Sequence, residues 1–144
     1  MGFDIDGLLD LWSGEAPHRP DAEDAFRAFY TDPVTVNGTE LSATDLVARA
    51  VAVQAAFDKL SREVLDVCQT GDKVAVAFRM SGTQTGPLAT SAGVLEPTGL
   101  PVSLRVIDIL TLSDDGRIAS LWMVADELGA LAAVDAVTVG TAGA

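Results

Sequence analysis

The sequence predicts an α+β fold: a cone-shaped barrel in which three N-terminal helices pack on a curved, mixed or antiparallel sheet, with a short C-terminal helix. Two observations carry this prediction. Apolar residues recur at helical spacing in the first part of the chain, and they alternate at period two in most of the remainder. Helices that precede neighbouring strands are typical of the α+β class. A curved sheet over three helices leaves a conical cavity between the two layers.

The first part of the chain carries three helix signals and one strand. Residues 5–12 place apolar side chains at helical spacing, and Asp21 is placed to cap a second, short helix. Residues 32–36 are extended and end at an Asn-Gly turn. Ser42 and Asp45 resemble a capping box, with Asp where Glu is usual, and they open the longest helix.

Alternation at period two dominates the second part of the chain. Turn residues at 70–72 and 113–116 separate the alternating segments. Residues 86–99 are rich in Gly, Thr, Ser and Pro, so we expect a loop that forms one rim of the cavity. In chain order, the expected elements are strands over 60–68, 74–81, 102–112 and 117–125 and a helix over 127–134. We expect one domain, residues 1–136, and a weakly ordered tail, residues 137–144.

Composition excludes several classes of function. The 144 residues carry a net charge of −12, which argues against nucleic acid and anionic membrane surfaces, since both require Lys and Arg on the contact face. An anionic substrate would have to be met by a local positive charge. The single cysteine excludes an internal disulfide, and neither a signal peptide nor a membrane-spanning apolar stretch is present. We therefore expect a cytoplasmic domain.

A single histidine limits the chemistry further. His18 lies in a Pro-flanked loop, so neither a histidine metal cluster nor a Ser-His-Asp triad can form within one subunit. The glycine-containing segment 82–86 does not match a phosphate-binding loop that opens a helix. We expect no metal and no nucleotide.

Asp108 is the most informative residue of the chain. It interrupts one face of an expected strand whose other members are apolar, namely Val102, Leu104, Val106, Leu110 and Leu112. A buried carboxylate must find a hydrogen-bond partner or take up a proton, because an unpaired buried charge costs several kcal/mol. A carboxylic acid in such surroundings becomes a proton donor to a substrate. The alternative is a structural Asp that accepts hydrogen bonds from backbone amides or a neighbouring Arg.

Three further residues are weaker candidates. Trp12 lies on the buried face of the first helix, and its indole N–H requires an acceptor, although core packing explains it as well. Asn37 has a sufficient explanation in holding its turn. Glu63 shares the face of Leu65 and Val67, and it is the candidate for a catalytic base if that face points inward. A surface or dimer-contact role, with an ion pair across neighbouring strands, explains Glu63 equally well.

Three segments together resemble the nuclear-transport-factor-2-like superfamily and, within it, the SnoaL-like polyketide cyclases. They are the early helix ending in Leu11-Trp12, the segment FYTDPVTV at 29–36, and the segment VIDILTLSDDGRI at 106–118, which is followed by Trp122 and Asp126. The segments 82–86 and 97–99 also resemble signatures of the cyclase branch. The resemblance extends over residues 4–133.

The resemblance implies a cone-shaped cavity, a mechanism without a cofactor, and a homodimer built on the sheet. Asp108 is similar in position to the Asp of ketosteroid isomerases that stays protonated and donates to the substrate oxyanion. Trp12 falls where those isomerases have an oxyanion Tyr. An indole N–H donates a hydrogen bond but does not ionise, so it is the weaker partner.

The usual bases of these relatives are missing. The isomerase base falls at Asn37-Gly38, and the acid/base Asp of the ring cyclases falls at Met123. Gln84 replaces a His of the cyclase signature. Segment 79–81 supplies only the Arg of the Arg-x-Asp pair that limonene-type epoxide hydrolases use.

The sequence thus predicts acid-assisted chemistry next to a carbonyl of a hydrophobic, polyketide-like small molecule. Asp108 is the predicted acid, and Trp12 is a positioning residue or second donor. The expected substrate-binding residues are Tyr30, Asn37, Phe57, Glu63, Phe78, Met80, Trp122 and Met123. A non-catalytic protein that binds a hydrophobic ligand is the first alternative, favoured by the missing bases. An epoxide-opening hydrolase or cyclase is the second.

Overall fold

The computed structural model describes residues 2–140, and in this part of the chain it has four α-helices and eight β-strands. The helices are α1 (Ile5–Ser13), α2 (Ala22–Arg27), α3 (Ala43–Ala56) and α4 (Glu127–Ala133). The strands are β1 (Tyr30–Val36), β2 (Thr39–Leu41), β3 (Phe57–Thr70), β4 (Lys73–Gln84), β5 (Leu88–Thr90), β6 (Gly93–Leu95), β7 (Pro101–Leu112) and β8 (Ile118–Ala125). Residues 137–140 belong to no helix or strand. The rest of the expected tail, residues 141–144, lies outside the described residues.

Six strands form one mixed sheet in the order β2-β1-β8-β7-β4-β3. Only the β1–β8 pair is parallel in this sheet, and the other neighbours are antiparallel. The α+β class, with three N-terminal helices against a curved mixed sheet and a short C-terminal helix, is therefore confirmed. This arrangement gives the sheet an inner face toward the helices and an outer face away from them.

The core lies between α1–α3 and the inner face of the sheet. Val74, Val76, Phe78 and Met80 alternate along β4, and all four are buried. They belong to the same cluster of apolar side chains as members of the three helices, namely Leu8, Leu11, Phe26, Leu46 and Ala50. Every second residue of β4 from Val74 to Met80 is apolar and is buried against the helices, so burial of this apolar face stabilises β4 as a strand of the sheet.

The helix ends follow the sequence signals in one case and depart from them in another. Asp45 N donates to Ser42 Oγ at 3.1 Å, and Ser42 N donates to Asp45 Oδ2 at 2.9 Å, so the capping box at the start of α3 is confirmed. Asp21 precedes α2, but its side chain makes no capping hydrogen bond. Asp21 therefore occupies the expected N-cap position without supplying the expected side-chain cap.

The segment expected as a loop contains a short hairpin, β5–β6, which Gln84 holds in place. Its Nε2 donates to the carbonyl oxygens of Gly86, Leu95 and Glu96 at 3.0, 2.9 and 3.2 Å. Its Oε1 accepts from the backbone N and the hydroxyl of Thr98 at 3.1 and 2.8 Å. The side chain is completely buried, so Gln84 is a structural residue that fastens the hairpin to the sheet.

Two irregularities in β3 decide which of its residues face inward. The β3–β4 register shifts between Asp58 and Ser61 and again between Val64 and Asp66. Each shift adds one residue to β3, which is the effect of a β-bulge. Because of the second bulge, Arg62 pairs with Met80 on the inner face and Glu63 pairs with Arg79 on the outer face.

Candidate functional site

Asp108 lies on the inner face of β7 among apolar neighbours. Its register partners are Val76 on β4 and Met123 on β8. The Oδ1 atom is buried and has no hydrogen-bond partner. Burial raises the pKa of the Asp108 carboxyl to about 7, and the nearby positive charge of Arg62 opposes this rise. The carboxyl therefore exchanges its proton near neutral pH.

Trp12, at the end of α1, is connected to Tyr30, at the start of β1. The indole Nε1 donates to the Tyr30 hydroxyl oxygen at 2.9 Å. Both rings pack on Phe26, with centroid distances of 5.4 Å for Trp12 and 6.3 Å for Tyr30. Burial raises the pKa of the Tyr30 phenol above its ordinary range, so the hydroxyl keeps its proton. The Trp12 N–H thus donates to Tyr30 and is not available to a substrate, whereas the hydroxyl proton of Tyr30 can be donated to another acceptor.

Arg62 is a part-buried cation beside these groups. Its guanidinium lies 5.9 Å from the centroid of the Phe78 ring, and its Nη2 is 3.5 Å from Met80 Sδ, a weak acceptor. Its Nε and Nη1 atoms are buried without a partner. Burial lowers the Arg62 pKa to about 10, so the group remains charged at neutral pH, and its charge acts on both Tyr30 and Asp108.

The strand register explains how Arg62 comes near Asp108. Arg62 starts opposite Met80, and its side chain extends over Phe78, which is the next inner-face residue of β4. Val76 follows on the same face, and Asp108 is its partner on β7. We call Trp12, Tyr30, Arg62, Phe78, Met80 and Asp108 the inner cluster.

Sequence reasoning missed Arg62 because it followed uninterrupted alternation through β3. That alternation groups Glu63 with Leu65 and Val67, whereas the bulge between Val64 and Asp66 separates them. Glu63 lies on the outer face with its side chain 67% exposed, and its Oε2 is 3.6 Å from Arg79 Nη1. The condition for Glu63 as a catalytic base, an inward-pointing face, is not met. The alternative that the sequence left open, an ion pair across strands, describes the structure.

Other predicted binding residues lie apart from the inner cluster. Trp122 is 62% exposed on the outer face, where it pairs with Ile109. Phe57 is buried at the start of β3 opposite Gln84, at the far end of β4 from Val76. Neither residue is brought to Asp108.

Asn37 and Met123 lie at the edge of the site. Asn37 Oδ1 accepts from Met123 N at 2.8 Å, and Asn37 Nδ2 donates to Met123 O at 3.3 Å. This amide ties the β1–β2 turn to β8, so both of its ends are occupied. Met123 pairs with Asp108 and is 40% exposed, which makes it the solvent-side neighbour of the carboxyl.

Two cavities lie away from Asp108. A small cavity of about 30 Å³ lies between the β5–β6 hairpin, β7 and α4. An open groove of about 440 Å³ crosses the ends of β3, β4 and β7, and it is lined by Lys59 and the hydroxyls of Ser61, Ser81 and Ser103. Neither borders the inner cluster, whose side chains pack against one another.

Among residues 2–140, no three His, Cys, Asp or Glu side chains come together as a set of metal ligands. No helix in this part of the chain is long and apolar enough to cross a membrane.

Solved structures share the fold over almost the whole chain. TsrD from Streptomyces laurentii is 21% identical with a TM-score of 0.76, and the match covers 92% of each chain. A SnoaL-like polyketide cyclase from Agrobacterium tumefaciens is 19% identical with a TM-score of 0.70, covering 92% of this chain and 98% of that one. AclR, a candidate hydroxylase from Streptomyces galilaeus, is 23% identical with a TM-score of 0.67, covering 92% and 96%.

Sequence comparison identifies the family. A search of curated proteins finds no match to this chain. The family model described as SnoaL-like polyketide cyclase matches residues 8–134, which is most of the chain. Together with the cone-shaped fold, this match means that the chain belongs to the SnoaL-like polyketide cyclase family.

Proposed function

We propose that the protein is a cofactor-independent enzyme that moves a proton next to a carbonyl of a hydrophobic, polyketide-like small molecule, in a cyclisation or an isomerisation. One observation carries the proposal: the Oδ1 atom of Asp108 is buried on an apolar face without a hydrogen-bond partner. Such a group is adapted to donate a proton to a substrate rather than to stabilise the fold. Membership of the cyclase family supports the class of substrate.

Asp108 is the acid in this mechanism. In its protonated form the carboxyl donates a hydrogen bond to the carbonyl oxygen, which stabilises the enol or enolate that forms when the adjacent carbon loses a proton to solvent water. A pKa of about 7 leaves both forms of Asp108 populated near neutral pH. Tyr30 is the second donor, and Trp12 is a positioning residue, since its N–H fixes the hydroxyl oxygen of Tyr30.

The residues at the family's usual base positions limit the expected rate. Asn37 and Met123 occupy those positions, and neither side chain binds a proton near neutral pH. A single well-placed acid contributes about 10²- to 10⁴-fold to a rate. The missing base also favours the alternative of a non-catalytic protein that binds a hydrophobic ligand in the same place.

We also propose a homodimer through the outer face of the sheet, in the cytoplasm. Ile107, Ile109, Trp122 and Val124 form neighbouring pairs on β7 and β8, and they are 56%, 46%, 62% and 73% exposed. A contiguous exposed apolar patch of this kind marks an interaction surface. A second copy presents the same patch, so a two-fold axis through the sheet buries both at once.

Proton exchange on a simple ketone tests the function. The α-protons of 2-tetralone are followed by NMR in D₂O, with the protein, the Asp108→Asn variant and buffer alone. We expect exchange faster than in buffer, and a loss of about 10²-fold or more in Asp108→Asn, because an amide cannot donate the carboxyl proton. Asp66→Asn is the matched control, since Asp66 is exposed on the outer face of the same sheet.

The outcomes separate the two functions. Exchange that survives in Asp108→Asn contradicts the assignment of the acid. Saturable binding of 2-tetralone by both proteins, with exchange at the buffer rate, contradicts catalysis and supports a ligand-binding protein.

A further inference from the structure

Arg62 differs from the other part-buried arginines of the described chain. Arg27, Arg79 and Arg117 each form an ion pair with a carboxylate, at 2.9, 3.6 and 2.8 Å for the nearest atoms. Arg62 has no such pair in residues 2–140, although two of its nitrogens are buried. A buried guanidinium without acceptors is costly, so unpartnered donors of this kind indicate a binding partner that is not part of the chain.

We propose that the inner cluster binds the carboxylate of an anionic substrate, and that Arg62 holds it through Nε–H and, in place of Met80 Sδ, Nη2–H. This inference rests on the proposed function and narrows its substrate to a carboxylic acid. Nε–H lies on the same edge of the guanidinium as Nη2–H, whose acceptor is the weakly accepting Met80 Sδ, and a carboxylate accepts from such an edge through both oxygens. The Arg62 charge distinguishes this ligand from a neutral ketone, for which the donors of Asp108 and Tyr30 would be sufficient.

The acceptor has to come from outside the chain. Asp108 is the carboxylate whose charge acts on Arg62, but no hydrogen bond joins the two side chains, and its Oδ1 remains unpartnered. A ligand oxygen between them would satisfy both groups, because Arg62 donates to it and a protonated Asp108 donates as well. Since the chain carries a net charge of −12, an anionic ligand needs this local cation to offset long-range repulsion.

Met80 is the side chain that must move to admit the ligand. It is buried, and its sulfur is the only acceptor recorded for Arg62 within the described residues. The contact at 3.5 Å is weak, and the unbranched side chain changes rotamer easily. A carboxylate that replaces the sulfur exchanges a weak acceptor for a strong, charged one.

A matched pair of probes tests the inference. Isothermal titration calorimetry at about pH 6, where the Asp108 carboxyl is mostly protonated, compares 2-naphthoate with 2-naphthamide, which has the same shape and no charge. We expect the intact protein to bind 2-naphthoate about tenfold or more tightly, the ratio that one charge-assisted hydrogen bond gives. Arg62→Gln is expected to abolish this preference. Arg79→Gln, which changes an arginine on the outer face, is expected to retain it.

Nuclear magnetic resonance of the unmodified protein keeps the test independent of folding in the variants. The Nε–H signal of Arg62 should shift downfield on addition of 2-naphthoate and stay unchanged with 2-naphthamide. Equal affinities for the two probes, no binding of 2-naphthoate at about 1 mM, or a preference that persists in Arg62→Gln would each overturn the inference. Because 2-tetralone has no carboxylate, exchange that depends on Asp108 can succeed while this inference fails, and the reverse also holds.

Discussion

Replacing Asp108 by Asn should change how the stability of the protein depends on pH. The folded state holds the carboxyl at a pKa of about 7, against an ordinary value of 3.8, because burial disfavours the charged form. The folded state therefore binds a proton more tightly than the unfolded state does. The stability that this proton confers is fully present below the unfolded pKa, and it is lost as the pH rises through about 7. Asn has nearly the same shape and no proton to lose.

The change in the free energy of unfolding follows from the pKa shift of Asp108. At about 1.36 kcal/mol per pKa unit, the full shift of Asp108 corresponds to about 4 kcal/mol. Part of this free energy is lost below pH 5, outside the range that we compare. Asp108 is also only half-buried, so water screens its charge and reduces the effect further. We expect the free energy of unfolding to fall by about 2 kcal/mol, relative to Asp108→Asn, between about pH 5 and pH 8.

Urea unfolding at several pH values measures this difference. Asp108→Asn can also change the free energy of unfolding by an amount that does not depend on pH. The prediction therefore concerns only how the difference in free energy between the two proteins changes with pH. The titratable groups that face Asp108 are Arg62 from β3 and Tyr30 from β1, while β4 and β8 present Val76 and Met123. Arg62 and Tyr30 keep their protons throughout this range. Parallel curves for the two proteins, or a stability of the unmodified protein that rises relative to the variant, would refute the buried, protonated carboxyl.

Two further changes probe the hairpin and the outer face. Gln84→Ala removes the side-chain partner of three carbonyls, one buried and two part-buried, and of the Thr98 N–H, so we expect a loss of about 3 kcal/mol in urea unfolding, together with faster amide exchange in β5–β6. An unchanged midpoint would contradict this role. Trp122→Glu places a charge in the outer apolar patch, so we expect analytical ultracentrifugation to find a dimer for the unmodified protein and a monomer for the variant. A monomeric unmodified protein at about 100 µM would contradict the proposed dimer.

The sequence was sufficient for most of the fold. The capping box at Ser42, the Asn-Gly turn and the alternation along β4 are local signals, and each depends on residues close together in the chain. The β5–β6 hairpin was missed because its stability comes from Gln84, whose bonds reach residues up to Thr98. Hydrogen bonds between residues far apart in the chain produce no repeating pattern of apolar residues, so the sequence does not indicate them.

The site was less predictable. Asp108 stood out because a polar residue on an otherwise apolar strand face is visible in the alternation itself. Trp12 was recognised as a donor in need of an acceptor, but its partner Tyr30 depends on how α1 packs against β1. Arg62 was not recognised because a single extra residue between Val64 and Asp66 reverses the faces of the strand before it.

That bulge also determines the sign of the charge inside the protein. Arg62 and Glu63 are adjacent, and the register chooses which one faces the helices. If β3 paired with β4 without a bulge, so that Leu65 took a partner of its own, Glu63 would lie opposite Met80 and Arg62 would point outward. Loss of the bulge with every residue of β3 retained would convert a cationic interior into an anionic one, whereas deletion of Leu65 would leave Arg62 opposite Met80. An alignment of this strand with a relative's therefore reveals which charge faces the interior only when the bulges are aligned as well.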